Sequence, residues 1–148
     1  MANQIKRLVF FLFILSGGAA CAQTASLTAI SNAKGAPAEI RFAELRSVLM
    51  GERQRWSNGK KVLIALMKTN TSVGRSTSEK IYNMSADELK KFWLALVFQG
   101  KADAPSFFNT VPELQAFVAD NPGAIGIVDM PQASAATQVI LVDGKRSF

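Results

Sequence analysis

Ten consecutive residues bring together cations, hydroxyls and an amide of the types that could hold an anion. They run Lys68-Thr69-Asn70-Thr71-Ser72-Val73-Gly74-Arg75-Ser76-Thr77. An apolar run of strand length, Val62 to Leu66, leads into them, and a helix is expected to follow around Glu79 to Met84. In an open α/β sheet, ligands gather where strands end and helices begin. A helix N-terminus presents free N–H groups and a partial positive charge. Hydroxyls add donors, and an arginine can offer a bidentate fork to phosphate or carboxylate. Lys68, Thr71, Ser72, Arg75, Ser76 and Thr77 are therefore the candidate ligand contacts. The same hydroxyls would also serve as helix caps in a solvated loop, and the sequence alone leaves both readings open.

Other chemistries find less to work with. The chain has no histidine and a single cysteine, Cys21. Its carboxylates are scattered, the calcium-loop pattern is absent, and no metal or cofactor is expected. Without histidine there is no Ser-His-Asp triad. Ser57-Asn58-Gly59-Lys60 spells S-x-x-K, yet Asn-Gly at its centre is turn chemistry and the partner motifs of penicillin-recognising enzymes are missing. A hydrolase is thus a remote alternative to a non-catalytic protein. No RNP-like motif and no basic stripe with interleaved aromatics points to nucleic acid. Trp56 and the pair Phe107-Phe108 flank turns, where they would pack in the core, cover a sheet edge or line a groove.

The elements that must position the candidate loop follow from periodicity. Ser26 to Ile30 is weakly strand-like, and a loop with Gly35 and Pro37 follows. Phe42, Leu45, Val48 and Leu49 recur at helical spacing, with Gly51 as a stop. Ser85 and Glu88 form a capping box. The helix it opens carries Leu89, Phe92, Trp93, Leu96 and Val97 on one stripe and ends at Gly100, so it is expected to be the main packing helix. Thr110, Pro112 and Glu113 start another helix with Leu114, Phe117 and Val118 on its apolar face, stopped by Asn121-Pro122-Gly123. Ala124 to Val128 and Thr137 to Val142 read as strands. The order predicts an α/β domain, a small mixed sheet flanked by helices, with at least one right-handed parallel crossover.

The first 22 residues read as a cleavable signal peptide. Lys6 and Arg7 form a basic start, Leu8 to Leu15 is an apolar run too short to span a bilayer, and Ala20-Cys21-Ala22 fits cleavage before Gln23. A lipid-modified Cys21 is the rival reading, weakened by Gly18 where a leucine is usual. Export predicts a periplasmic or secreted location. It would leave residues 23–148 as one domain of 126 residues, without cysteine and with a net charge of +4. That mild basicity suits an anionic ligand or surface and is equally common in exported domains of no special charge preference.

From Phe42 to Asp129 the sequence resembles the phosphate-type substrate-binding proteins of ABC uptake systems. Glu44-Leu45-Arg46-Ser47-Val48-Leu49-Met50-Gly51 matches their glycine-ended helix, and Trp56 with Gly59 matches their W-x-x-G turn. Arg75 falls where many short members carry an arginine. Ser85 to Trp93 matches the helix with a late tryptophan, Phe98-Gln99-Gly100 with Pro105 matches F-x-G, and Asn121 to Gly126 matches the closing N-P-G-A-I-G. The resemblance implies one lobe of a type II periplasmic binding protein, since two-lobed members are about twice this size. It implies a non-catalytic binding module, with phosphate or a similar oxyanion as first ligand. The alternative is an accessory or protein-interaction domain, partnered by a membrane transporter, a sensor or a second copy in a homodimer.

Overall fold

The computed structural model describes residues 25–132 and 134–148. The expected signal peptide and Cys21 lie outside the described residues. No helix among those described is long and apolar enough to cross a membrane.

The chain folds into a six-stranded mixed sheet with helices packed on it. Strands β1 (Thr28–Asn32) and β2 (Glu39–Ile40) precede helix α1 (Phe42–Leu49). Strand β3 (Leu63–Met67) leads into α2 (Ser72–Thr77), a π-helical segment (Ser78–Tyr82) and α3 (Ala86–Phe98). Then come β4 (Ser106–Phe108), α4 (Val111–Asp120), β5 (Ala124–Val128) and β6 (Thr137–Val142). The spatial order is β2-β6-β1-β5-β3-β4. β3 runs parallel to both β4 and β5, pairing Ala65 with Ser106 and with Gly126, so parallel crossovers are present. β1 lies antiparallel between β5 and β6.

Central strands are buried on both faces because helices or loops cover both. All five residues of β1 and all five of β5 are buried. α4 is the helix that lies across the sheet, touching β1, β3 and β5. Its Leu114 and Val118 are fully buried, each stabilising the fold by roughly 1.5–3 kcal/mol. It sits so close to β5 that a Cβ on Gly126 would come within 2.6 Å of Leu114 Cδ2. Its C-terminal carbonyls are satisfied from the sheet: Asn32 Nδ2 donates to Val118 O at 3.0 Å and to Ala119 O at 2.8 Å. Those carbonyls have no partner within their own helix, so the buried amide removes a desolvation cost at both ends of the contact.

Four expectations need correction. The first strand begins at Thr28 rather than Ser26. The loop after it contains β2, two residues long and parallel to β6. A strand that short carries no periodic signal. Helix α2 starts at Ser72, well before Glu79, and Met84 lies outside the helical run, beyond Asn83 at φ 55°. Finally, α3 is not the main packing helix. Leu89 and Trp93 are buried, Phe92 and Leu96 half-buried, and Val97 exposed. The capping box itself is formed as expected, with Glu88 N–H on Ser85 Oγ at 3.3 Å and Ser85 N–H on Glu88 Oε2 at 2.7 Å.

Candidate functional site

β3 ends at Met67, and the next residues turn sharply into α2. Lys68 N–H donates to Phe108 O at 2.9 Å, which fixes the loop to the end of β4. The carbonyl of Lys68 then accepts twice from Thr71, from its N–H at 2.9 Å and from its Oγ1 at 2.7 Å. Thr71 Oγ1 in turn accepts from Gly74 N–H at 3.0 Å, so Thr71 is the N-cap of α2. α2 can begin this close to the strand because residue 74 is glycine. A Cβ there would lie 2.0 Å from Lys68 O and 2.7 Å from Met67 O.

This geometry leaves several donors at the C-terminal end of β3. The N–H groups of Ser72 and Val73 precede the first intrahelical bond and have no acceptor among the described residues. Lys68 and Ser72 are exposed and Thr71 is half-buried. Arg75, also exposed, donates through Nη1 to Asn70 O at 3.1 Å, which holds its guanidinium over the loop. Neither salt bridge found among the described residues includes Lys68 or Arg75; the pairs are Arg53 with Glu44 and Lys61 with Asp103. This segment thus carries two exposed cations outside those salt bridges, two backbone N–H groups without an acceptor among the described residues and the exposed Ser72.

Of the six candidates, Lys68, Thr71, Ser72 and Arg75 lie on the turn from β3 into the first residues of α2. Ser76 follows on the helix and is half-buried. Thr77 departs from its expected role: it is 2% exposed and its Oγ1 donates to Val73 O at 2.8 Å, so it braces the helix within the core instead of facing a ligand. Asn70 and Gly74 also shape the site, one as the anchor for Arg75 and the other as the point of close approach. Gly74, a small residue two positions after a Thr-Ser pair following a strand, was the available signal.

A groove of about 640 Å³ adjoins the loop. Lys68, Thr69 and Asn70 of the loop line it together with Leu89, Trp93, Leu94, Val97 and Phe107. Phe107 belongs to β4, whose outer edge is the edge of the sheet. Sequence reasoning had assigned α3 a single inward stripe. Leu94 and Phe98, apolar residues off that stripe, were the sign of a second apolar face. Ser57 to Lys60 forms the expected turn, with Trp56 N–H on Lys60 O at 2.9 Å. Among the described residues no three His, Cys, Asp or Glu side chains cluster to hold a metal.

No protein-family model matches the sequence, and no curated protein matches it. Solved structures do match the fold. An ABC-type phosphate transport receptor from Vibrio cholerae superposes with a TM-score of 0.65 at 11% identity, over 84% of this chain and 49% of the receptor. A protein from Clostridium perfringens, assigned as a phosphate ABC transporter substrate-binding protein and crystallised with bound phosphate, gives 0.61 at 12% identity over 82% and 46%. PstS from Borrelia burgdorferi gives 0.61 at 14% identity over 82% and 48%. The α/β fold of this chain is therefore similar to that of phosphate-binding receptors, and the chain spans about half the length of each.

Proposed function

We propose that this protein is an exported, non-catalytic binding module for a tetrahedral oxyanion, with inorganic phosphate as the first ligand to consider and ABC-type uptake as its setting. One observation carries the reading. Ser72 and Val73 N–H groups, free of acceptors among the described residues, lie in sequence between two exposed cations, Lys68 and Arg75, just after the end of a parallel strand. Backbone donors and a guanidinium fork together match a phosphate or sulfate better than a carboxylate, because such an anion presents acceptors in several directions. The fold similarity to phosphate-binding receptors supports the same ligand class. Donors come from one side only, so bound anion stays in contact with water and affinity is modest.

Isothermal titration of the exported form with phosphate, sulfate and molybdate tests the reading. Saturable heat with at least one of them is expected, weakening as salt screens the two cations. No heat with any of the three ends the proposal.

A second reading, an accessory domain that docks on a transporter, a sensor or its own copy, is favoured by Phe98. This large apolar residue ends α3 and is 83% exposed. Recovery of one stoichiometric partner from periplasmic extract, lost with Phe98→Ser, would establish it.

A further inference from the structure

β4 is the last strand on its side of the sheet. It pairs with β3, and no strand among the described residues pairs with its other side. Phe108 O accepts from Lys68 N–H, so the Phe108 carbonyl turns toward β3. In a parallel ladder only alternate residues bond the neighbouring strand, so the N–H and C=O of Phe107 turn outward. No turn or loop bond among the described residues uses them. Such an edge is a ready template for another strand. Side chains alternate as well. Phe108 packs on Phe117 of α4, at a ring-centroid distance of 5.3 Å. Phe107 turns to the other face, where it lines the 640 Å³ groove with Trp93, Leu94 and Val97 of α3. One groove is therefore lined by a strand with outward backbone groups and by a helix with an apolar face.

That groove stands open. Leu94 is 55%, Val97 43% and Phe107 41% accessible to water, and covering such surface is favourable. The α3 residues along it run from Ala86 to Val97, roughly 16 Å of helix at 1.5 Å per residue. That length matches about five residues of extended chain. Lys68 and Lys90 line the groove against one carboxylate, Asp87, and none of the three joins a salt bridge found among the described residues. The net positive lining favours an acidic occupant.

We infer that the groove takes an extended, acidic peptide segment of a partner protein, added as a strand to the outer edge of β4. Its backbone pairs with Phe107 N–H and C=O. Its alternate apolar side chains lie against Leu94, Val97 and Phe107, and flanking acidic residues sit in the field of Lys68 and Lys90. Strand addition draws affinity from the main chain and specificity from every second side chain. β4 is three residues long, so the ladder is short and apolar contact carries much of the binding. The inference rests on the docking reading above and does not require oxyanion binding.

Selection of the protein against random dodecapeptides displayed on phage, then titration with the synthetic consensus peptide, tests it. The expected consensus has apolar residues two apart with aspartate or glutamate beside them. Its affinity should fall about tenfold or more in Leu94→Ser/Val97→Ser, since covered apolar area is lost. Both positions are solvent-exposed, so the fold should persist; if the melting temperature falls, Leu94→Ser alone provides the same comparison. Lys90→Glu should weaken binding and flatten its salt dependence. Of two peptides N-methylated on alternate residues in the two possible registers, one should bind and the other should not.

No enriched peptide overturns the inference and leaves the docking reading to Phe98→Ser, which tests it separately. Apolar residues three and four apart, or equal binding of both methylated peptides, exclude strand addition. A basic or uncharged consensus overturns the acidic class. Affinity unchanged in Leu94→Ser/Val97→Ser but lost in Phe98→Ser overturns the groove while keeping the docking reading. A wild-type dimer in sedimentation that Leu94→Ser/Val97→Ser converts to monomer makes a second copy the occupant and overturns the peptide assignment.

Discussion

Gly74 lies directly against the carbonyl of Lys68, at a distance that leaves no room for a side chain. A Cβ would sit 2.0 Å from the oxygen and 2.5 Å from the carbonyl carbon. Both partners are backbone, so no rotamer change relieves the clash. Gly74→Ala is expected to destabilise the fold by about 1–3 kcal/mol, the usual cost of overpacking, and to push α2 away from the end of β3. Thermal unfolding followed by circular dichroism measures the loss. An unchanged melting temperature would mean that the loop yields without resistance and is not the fixed cradle described above.

Arg75 separates binding from stability. Its guanidinium is exposed and tethered to the Asn70 carbonyl, so Arg75→Ala should shift stability by no more than about 0.5 kcal/mol. Oxyanion affinity should fall about tenfold or more, because a hydrogen bond to a charged group is worth roughly 1.5–3 kcal/mol. Arg75→Lys keeps the charge without the planar fork and should fall between the two. Titration calorimetry on the three proteins checks the order. Equal affinities would reduce Arg75 to a tether for Asn70.

Elements with a strong period or a two-ended local signal were legible in the sequence. The Ser85 and Glu88 pair announced α3 because both of its hydrogen bonds are local. Trp56 and Gly123 show what is not local. Trp56 Nε1 donates to Gly123 O at 2.8 Å across 67 residues, and only the folded chain brings these two marked segments together. β2 and β4 were missed because two- and three-residue strands owe their existence to neighbours in the sheet. The candidate loop was found by composition, but its division of labour was not. Thr71 and Thr77 are chemically identical in the sequence; one caps α2 at the site edge and the other is locked on Val73 O in the core.

Glu88 should make stability depend on acid pH. Its hydrogen bonds to Ser85, backbone first and hydroxyl second, hold its carboxyl below the ordinary glutamate value, with Lys91 adding a smaller pull. A depressed carboxyl stabilises the native state above its unfolded pKa, and that contribution is lost as pH falls through the lower native value. Glu88→Gln can keep the capping geometry but cannot titrate. The melting temperatures of wild type and Glu88→Gln are therefore expected to differ at neutral pH and to converge in acid. A gap that stays constant down to the acid end would show that the capping box draws nothing from the charge.

Tyr82 should govern the alkaline limb. It is the chain's only tyrosine, 1% exposed, and its Oη donates to Leu49 O at 2.6 Å. Phe92 and Trp93 pack edge-on against its ring, at centroid distances of 6.2 and 6.5 Å. Burial pushes its phenol well above the usual range, with the Trp93 indole pulling the other way. The neutral phenol is the form the fold accommodates. Its contribution is fully present below the unfolded pKa of about 10 and is lost as pH rises from there through the raised native value. Phenolate absorbance should stay absent at pH values where an exposed tyrosine ionises, then emerge together with loss of the circular dichroism signal. Tyr82→Phe gives up the bond to Leu49 O, at a cost of about 1 kcal/mol, and in return its stability should stay flat over the same alkaline range. Phenolate forming gradually in a chain that remains folded would mean that the Tyr82 pocket opens locally, well below the free energy of global unfolding.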